Sequence, residues 1–207
     1  MREQITRYFF GEGRRVESFQ TYELLPATLE QLIDLDEFTQ NKGWSEFDDR
    51  EASTQIKAGK FIVESRLTGH TWKTSRAVLI DTTRNFSIET EMKWIGGYDD
   101  NFYGVLWGSR DGNNFFFFGV TSSGNFAYRK FLNGSWTDVI RFRLSLAINK
   151  GVASNKLFIS KRGENYEFRI NDQVVGIAPS EDFTGNIGFH LNDPMKVEIE
   201  YLRIRYE

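Results

Sequence analysis

Any chemistry done by this chain must come from few side chains, and the paired carboxylates come first. Glu89-Thr90-Glu91 places two acids on one side of a strand, because side chains two apart in a strand face the same way. Two carboxylates about 5 Å apart are what a retaining glycosidase uses. Lys93 takes the next position on that side, and a cation there favours ionised acids over the protonated one that such chemistry needs. Glu198-Ile199-Glu200 repeats the pattern. Paired Glu residues on a strand more often mark a solvated face, so no catalytic residue is assigned. Glu89 with Glu91 stands as the hydrolase alternative.

Other reactive groups are sparse. Asp99, Asp100 and Asp111, each followed closely by Asn, offer oxygen ligands suited to calcium. Both clusters fall where hairpins must turn, and Asp, Asn and Gly are ordinary turn residues, so turn formation is preferred and no metal or cofactor is expected. His70 follows Gly in a turn and His190 sits in GFHL. Neither has a sequence signature linking it to an acidic or nucleophilic partner, so both read as structural. With no cysteine, the chain has no thiolate metal site, thiol nucleophile or disulfide. No Ser lies in a nucleophile elbow and no Gly-rich loop precedes a helix.

The aromatic residues are more telling. The chain carries 19 Phe, 8 Tyr and 5 Trp in 207 residues, against only 3 Pro. In Phe115-Phe116-Phe117-Phe118 successive rings point to opposite faces, so both sides of that strand are apolar. Assigning Val105, Trp107, Phe116, Phe118, Phe126 and Tyr128 to the core keeps Arg129 out of it. Gly104, Leu106, Gly108, Phe115, Phe117, Gly119 and Arg129 then form an outer face. That face reads as a shallow aromatic trough, with candidate ligand-binding residues Phe115, Phe117 and Arg129, and Trp136 as either a rim or a core residue. An alternative keeps the trough covered by the N-terminal segment or by a partner chain, since exposed Phe rings are unfavourable.

The elements that position these residues are strands. From Phe38 onward apolar residues alternate at period two, broken by Gly, Asn and Asp turns at short spacing, the signature of a sandwich or barrel. FSIETEMKW is the cleanest strand, with Phe86, Ile88, Met92 and Trp94 on one side. Lys-Ala-Gly before Lys60 and Asn171-Asp172 predict tight hairpin turns. In the last strand the apolar phase runs through Val197, Ile199 and Tyr201, then shifts to Leu202, Ile204 and Tyr206, which predicts a bulge near Tyr201–Leu202. Residues 1–35 read as a separate extension in which Pro26, Leu29, Leu32 and Ile33 mark a short helix, and residues 36–207 as the sandwich. A chain this long buries about 70% of its unfolded surface and needs no staple.

The stretch YGVLWGSRDGNNFFFFGVTSSGNFAYRKFLNGSW resembles a pattern recurring in bacterial concanavalin A-like domains, the broad lectin/glucanase and laminin G-like superfamily. Its first block runs from Gly104 to Phe117 and its second from Gly124 to Trp136. NKLFISKRGENYEFRINDQVV is similar to that family's later hairpin, with Asp172 where Gly is commoner, and LDEFTQNKGW is similar to its opening strand. The resemblance covers roughly residues 35–207. It implies an all-β, two-sheet antiparallel jelly-roll sandwich, and it places the aromatic trough on the concave sheet, where related lectins and glucanases take sugar. Laminarinase-type glucanases of this fold carry three carboxylates on one strand, and neither acid pair here supplies the third.

The expectation is therefore a non-catalytic recognition module with carbohydrate as ligand, or else a protein-interaction or assembly domain. A formal charge of −3 with no Lys/Arg run longer than two residues excludes a phosphate-tracking surface, so nucleic acid is not expected. MREQITRYFFGEGRR lacks the apolar stretch of a secretory signal, and no run approaches the ~18 apolar residues of a span. No membrane partner and a cytoplasmic setting follow as expectations.

Overall fold

The computed structural model describes residues 31–207, and they form two stacked antiparallel sheets. The six-stranded sheet runs β10 (Ser135–Leu144), β9 (Asn125–Leu132), β8 (Phe115–Val120), β7 (Tyr103–Ser109), β14 (Asn186–Asn192) and β5 (Thr71–Arg76). The nine-stranded sheet runs β13 (Gln173–Pro179), β12 (Asn165–Ile170), β11 (Ser154–Arg162), β6 (Phe86–Gly97), β15 (Met195–Tyr206), β4 (Lys60–Ser65), β3 (Ala52–Lys57) and β2 (Phe47–Asp48). Its ninth member, β1 (Gln31–Asp36), pairs with the second half of β15. Among the described residues no helix is long and apolar enough to cross a membrane.

Alternation builds the core as the sequence predicts. Val105, Trp107, Phe116, Phe118, Phe126 and Tyr128 of the smaller sheet face Phe86, Ile88, Met92, Ile159, Phe168 and Val197 of the larger one, all buried. The Trp107 and Tyr128 rings stack at 5.7 Å, and Phe168 of the opposite sheet closes on Tyr128 at 4.5 Å. Each buried aromatic ring contributes roughly 1.5–3 kcal/mol by leaving water.

Three of the two-residue hairpin turns have left-handed backbone at both positions. Ala58 and Gly59 have φ of 53° and 71°, Asn133 and Gly134 51° and 75°, Asn171 and Asp172 49° and 66°. Asn171 helps hold its own strained turn: its Oδ1 accepts from Lys156 N at 2.9 Å and its Nδ2 donates to Ala147 O at 2.7 Å.

The bulge in β15 lies between Ile199 and Tyr201, one step before the position read from the apolar phase. Its place has a cause. Up to Ile199 the free side of β15 pairs with β4, and from Leu202 it pairs with β1. The bulge marks where one partner strand hands over to the next.

That handover corrects the N-terminal expectation. Gln31 to Leu35 are not the end of a helix but a strand of the sandwich, since the open edge of Leu202–Tyr206 offers backbone partners that outweigh weak helical periodicity. The remainder of the expected helix, with Pro26 and Leu29, lies outside the described residues.

Candidate functional site

The outer face of the six-stranded sheet carries a second apolar layer. Phe102, Leu106, Phe115, Phe117 and Ala127 are buried there, with Phe131 and Trp136 packed against them and partly exposed. Cross-strand register brings them together: Leu106 pairs with Phe117, Phe117 with Arg129, Phe115 with Phe131, and Phe131 with Trp136. The four candidate ligand residues therefore converge. Trp136 meets Phe115 edge-on at 5.5 Å and Phe117 at 6.1 Å, and the Arg129 guanidinium lies 4.4 Å from the Trp136 ring centroid.

They do not sit at one level. Phe115 and Phe117 are each 1% exposed, so they form a floor beneath the surface rather than an open trough. The Phe117 ring lies across Gly119, where a Cβ would overlap it, and Gly119 faces Gly104 on β7. The glycines leave room for the floor itself. Gly108 departs from the expected face: it sits at a bulge with φ of 69°, and a Cβ there would point at the core residues Phe183 and Phe116. Trp136 belongs to the outer layer and not to the sandwich core.

Three further residues join the cluster. Alternation in GFHL puts Phe189 and Leu191 in the core and His190 on the outer face, where it is 1% exposed. Its ring packs 4.8 Å from Phe117 and 5.7 Å from Trp136. His190 Nε2–H donates to Asn192 Oδ1, which leaves Nδ1 buried with no hydrogen-bond partner among the described residues. Burial pushes the His190 pKa down to about 4; the Asn192 bond opposes this, and Lys73 and Arg129 reinforce it. Lys73, opposite His190 in the β5–β14 pair, holds its Nζ 4.8 Å over the Phe115 centroid. Asp138, opposite Arg129, accepts from Arg129 Nε at 2.6 Å. The sequence hid Lys73 and Asp138 because their neighbours are set by long-range pairing, whereas period-two alternation was enough to place His190.

The acids lie elsewhere. Glu89 and Glu91 stand on the outer face of the nine-stranded sheet, across the sandwich from the aromatic layer. Glu89 Oε1 accepts from Tyr201 OH and from Arg203 NH1, both at 2.9 Å. Burial, and then the bond to Glu89, raises the Tyr201 pKa. Glu198 and Glu200 share Lys60 at 3.0 and 2.7 Å.

Asp99 and Asp100 precede β7 while Asp111 follows it, so the calcium candidates lie at opposite ends of a seven-residue strand. Asp111 caps its own turn, accepting from Asn113 N at 2.9 Å and from Asn114 Nδ2, and these bonds hold its pKa below the usual range. Among the described residues no three His, Asp or Glu are grouped to hold a metal. His70 is exposed in its turn.

No family model and no curated protein matches this sequence. Solved structures do match its fold. The β-glucanase of Bacillus licheniformis superposes with a TM-score of 0.59 at 8% identity, over 86% of this chain and 98% of that one. The GH43 protein BlXynB of the same organism gives 0.60 at 11% identity over 84% of this chain, which spans only 39% of BlXynB's length. The CBM2 module of the evolved Dit protein of Lactobacillus casei BL23 phage J-1 gives 0.50 at 11%, over 86% and 96%. At such identities the likeness defines the fold alone: a two-sheet antiparallel jelly-roll sandwich.

Proposed function

We propose that this chain is a non-catalytic recognition module that binds carbohydrate on the outer face of its six-stranded sheet. The observation carrying this reading is Trp136, partly exposed and backed by Arg129, on a rigid floor of Phe115, Phe117 and Phe131. Sugars bind through apolar ring faces laid on aromatic side chains, with a few directed polar groups fixing orientation. Here the indole supplies the platform, Arg129 and Asp138 the polar groups, and the buried rings hold the indole in place. The ion-paired setting of Glu89 supports a binding role over hydrolysis. Carbohydrate-directed names among the fold neighbours, a β-glucanase and a CBM2 module, point the same way.

The test is titration of an oligosaccharide panel against tryptophan fluorescence, with Trp136→Ala alongside. Saturable emission changes that vanish in the variant are expected. No response to any member, or unchanged binding by Trp136→Ala, overturns the reading.

An interaction or assembly module is the second reading. It is favoured by a cleft between the edge strands β10 and β13, lined by Val139, Phe142 and Ile177 together with Arg141 and Arg143, in which Phe142 is 53% and Ile177 63% exposed. Under that reading the chain self-associates, and Phe142→Ser lowers its mass in sedimentation; a monomer in both forms excludes it.

A further inference from the structure

Lys73 carries the inference, which rests on the carbohydrate reading above and names the ligand's class. Partly buried cations of this molecule commonly hold a carboxylate: Lys60 pairs with Glu198 and Glu200, Lys130 with Glu181, Arg203 with Glu89, and Arg129 with Asp138. Lys73 forms no ion pair among the described residues. Among the described residues its Nζ donates one hydrogen bond, to the Gly112 carbonyl at 2.6 Å, and an ammonium has three donors. Around it lie ring faces, Phe115 at 4.8 Å and Phe131 at 5.6 Å, and the Asp111 carboxylate favours its charged form without reaching ion-pair contact. Aromatic faces attract a cation but replace lost hydration only in part.

The same two rings touch Trp136, at 5.5 and 4.9 Å. The ammonium and the indole thus lean on one shared floor, each within 5.6 Å of the same two ring centroids. Asp138 already satisfies Arg129, and His190 is buried and neutral. Among the described residues the Lys73 ammonium, beside the platform, is in ion-pair contact with no carboxylate; Asp111 acts on it only from farther off.

We infer that the ligand of this face is an acidic saccharide, whose carboxylate or sulfate pairs with Lys73 while its ring lies on Trp136. A charge-assisted bond to a cation already drawn partly out of water is stronger than one on an open surface. A neutral sugar meets the indole but leaves the ammonium as it is.

The test uses the full chain and three probes of matched length: oligogalacturonate, a sulfated carrageenan oligosaccharide and neutral laminarin oligosaccharide. Affinities are measured by calorimetry for the wild type, Lys73→Met and Lys73→Arg. At least one acidic probe is expected to bind about tenfold tighter than the neutral one, with an affinity that falls as salt rises. Lys73→Met should abolish that preference and Lys73→Arg should retain it, which separates lost charge from lost folding. Equal affinity for acidic and neutral probes, or a preference that survives Lys73→Met, overturns the pairing of an acidic saccharide with Lys73 and leaves the carbohydrate reading intact. Silence toward all three probes, with no Trp136 response, removes the carbohydrate reading and this inference with it.

Discussion

The two outer faces of this sandwich solve the same problem differently. On the nine-stranded sheet, polar side chains pair off in the open: Glu89 with Arg203 and Tyr201, Lys60 with Glu198 and Glu200, Arg169 with Glu167. On the six-stranded sheet a second aromatic layer buries Phe115, Phe117 and His190, leaving, among the described residues, His190 Nδ1 without a hydrogen bond and Lys73 without an ion pair. Glu89, Lys60 and Arg169 of that face are matched within the chain and ask little of a ligand. A face with rigid rings and unmatched polar groups has interaction energy still to realise, and binding sites have that character.

If the second layer is a true core, breaking it should cost as much as breaking the first. Phe117→Ala and Phe118→Ala, adjacent on β8 and facing opposite ways, should each destabilise by about 3–5 kcal/mol in urea titrations. A loss below about 1 kcal/mol for Phe117→Ala alone would make the outer layer a surface ornament. The comparison of neighbours on one strand cancels strand propensity and leaves packing.

His190 sharpens the contrast through pH. Its pKa falls from 6.5 unfolded to about 4 folded, so between those values the unfolded chain holds the extra proton. Stability from this group is complete above pH 6.5 and drains away as pH drops toward 4, by on the order of 3 kcal/mol at the low end. Unfolding measured at pH 7 and pH 4.5 should show that loss, and His190→Phe should flatten the dependence. An equally steep slope in the variant would assign it to other groups. Smaller is the effect expected of Gly119→Ala, whose methyl meets the Phe117 ring and should cost about 1–3 kcal/mol.

Much of the fold was legible because period-two alternation is a local signal. The phase shift at Tyr201 gave a bulge within one residue of its place, and Asn171-Asp172 gave its turn. The two sides of the Phe115–Phe118 run were separable because a single residue, Arg129, could not enter the core. Levels within a face were not legible: nothing local says that Phe131 and Trp136 pack over Phe115, or that Lys73, more than a hundred residues before His190, is its cross-strand neighbour. Strand β1 was missed for a similar reason, since the open edge that claims it lies at the far end of the chain.

The mildest perturbation tests the far face. Glu89→Gln keeps an oxygen that can accept from Tyr201 OH and removes only the charge facing Arg203, whose side chain is 32% exposed. A partly exposed ion pair contributes little, so the variant should lose no more than about 1 kcal/mol and keep whatever saccharide affinity the proposed opposite face shows. Should Glu89→Gln instead abolish binding or a hydrolytic activity, the working surface would lie on the nine-stranded sheet. Its matched charges would then be a resting arrangement that substrate displaces, and the contrast between the two faces would have to be reversed.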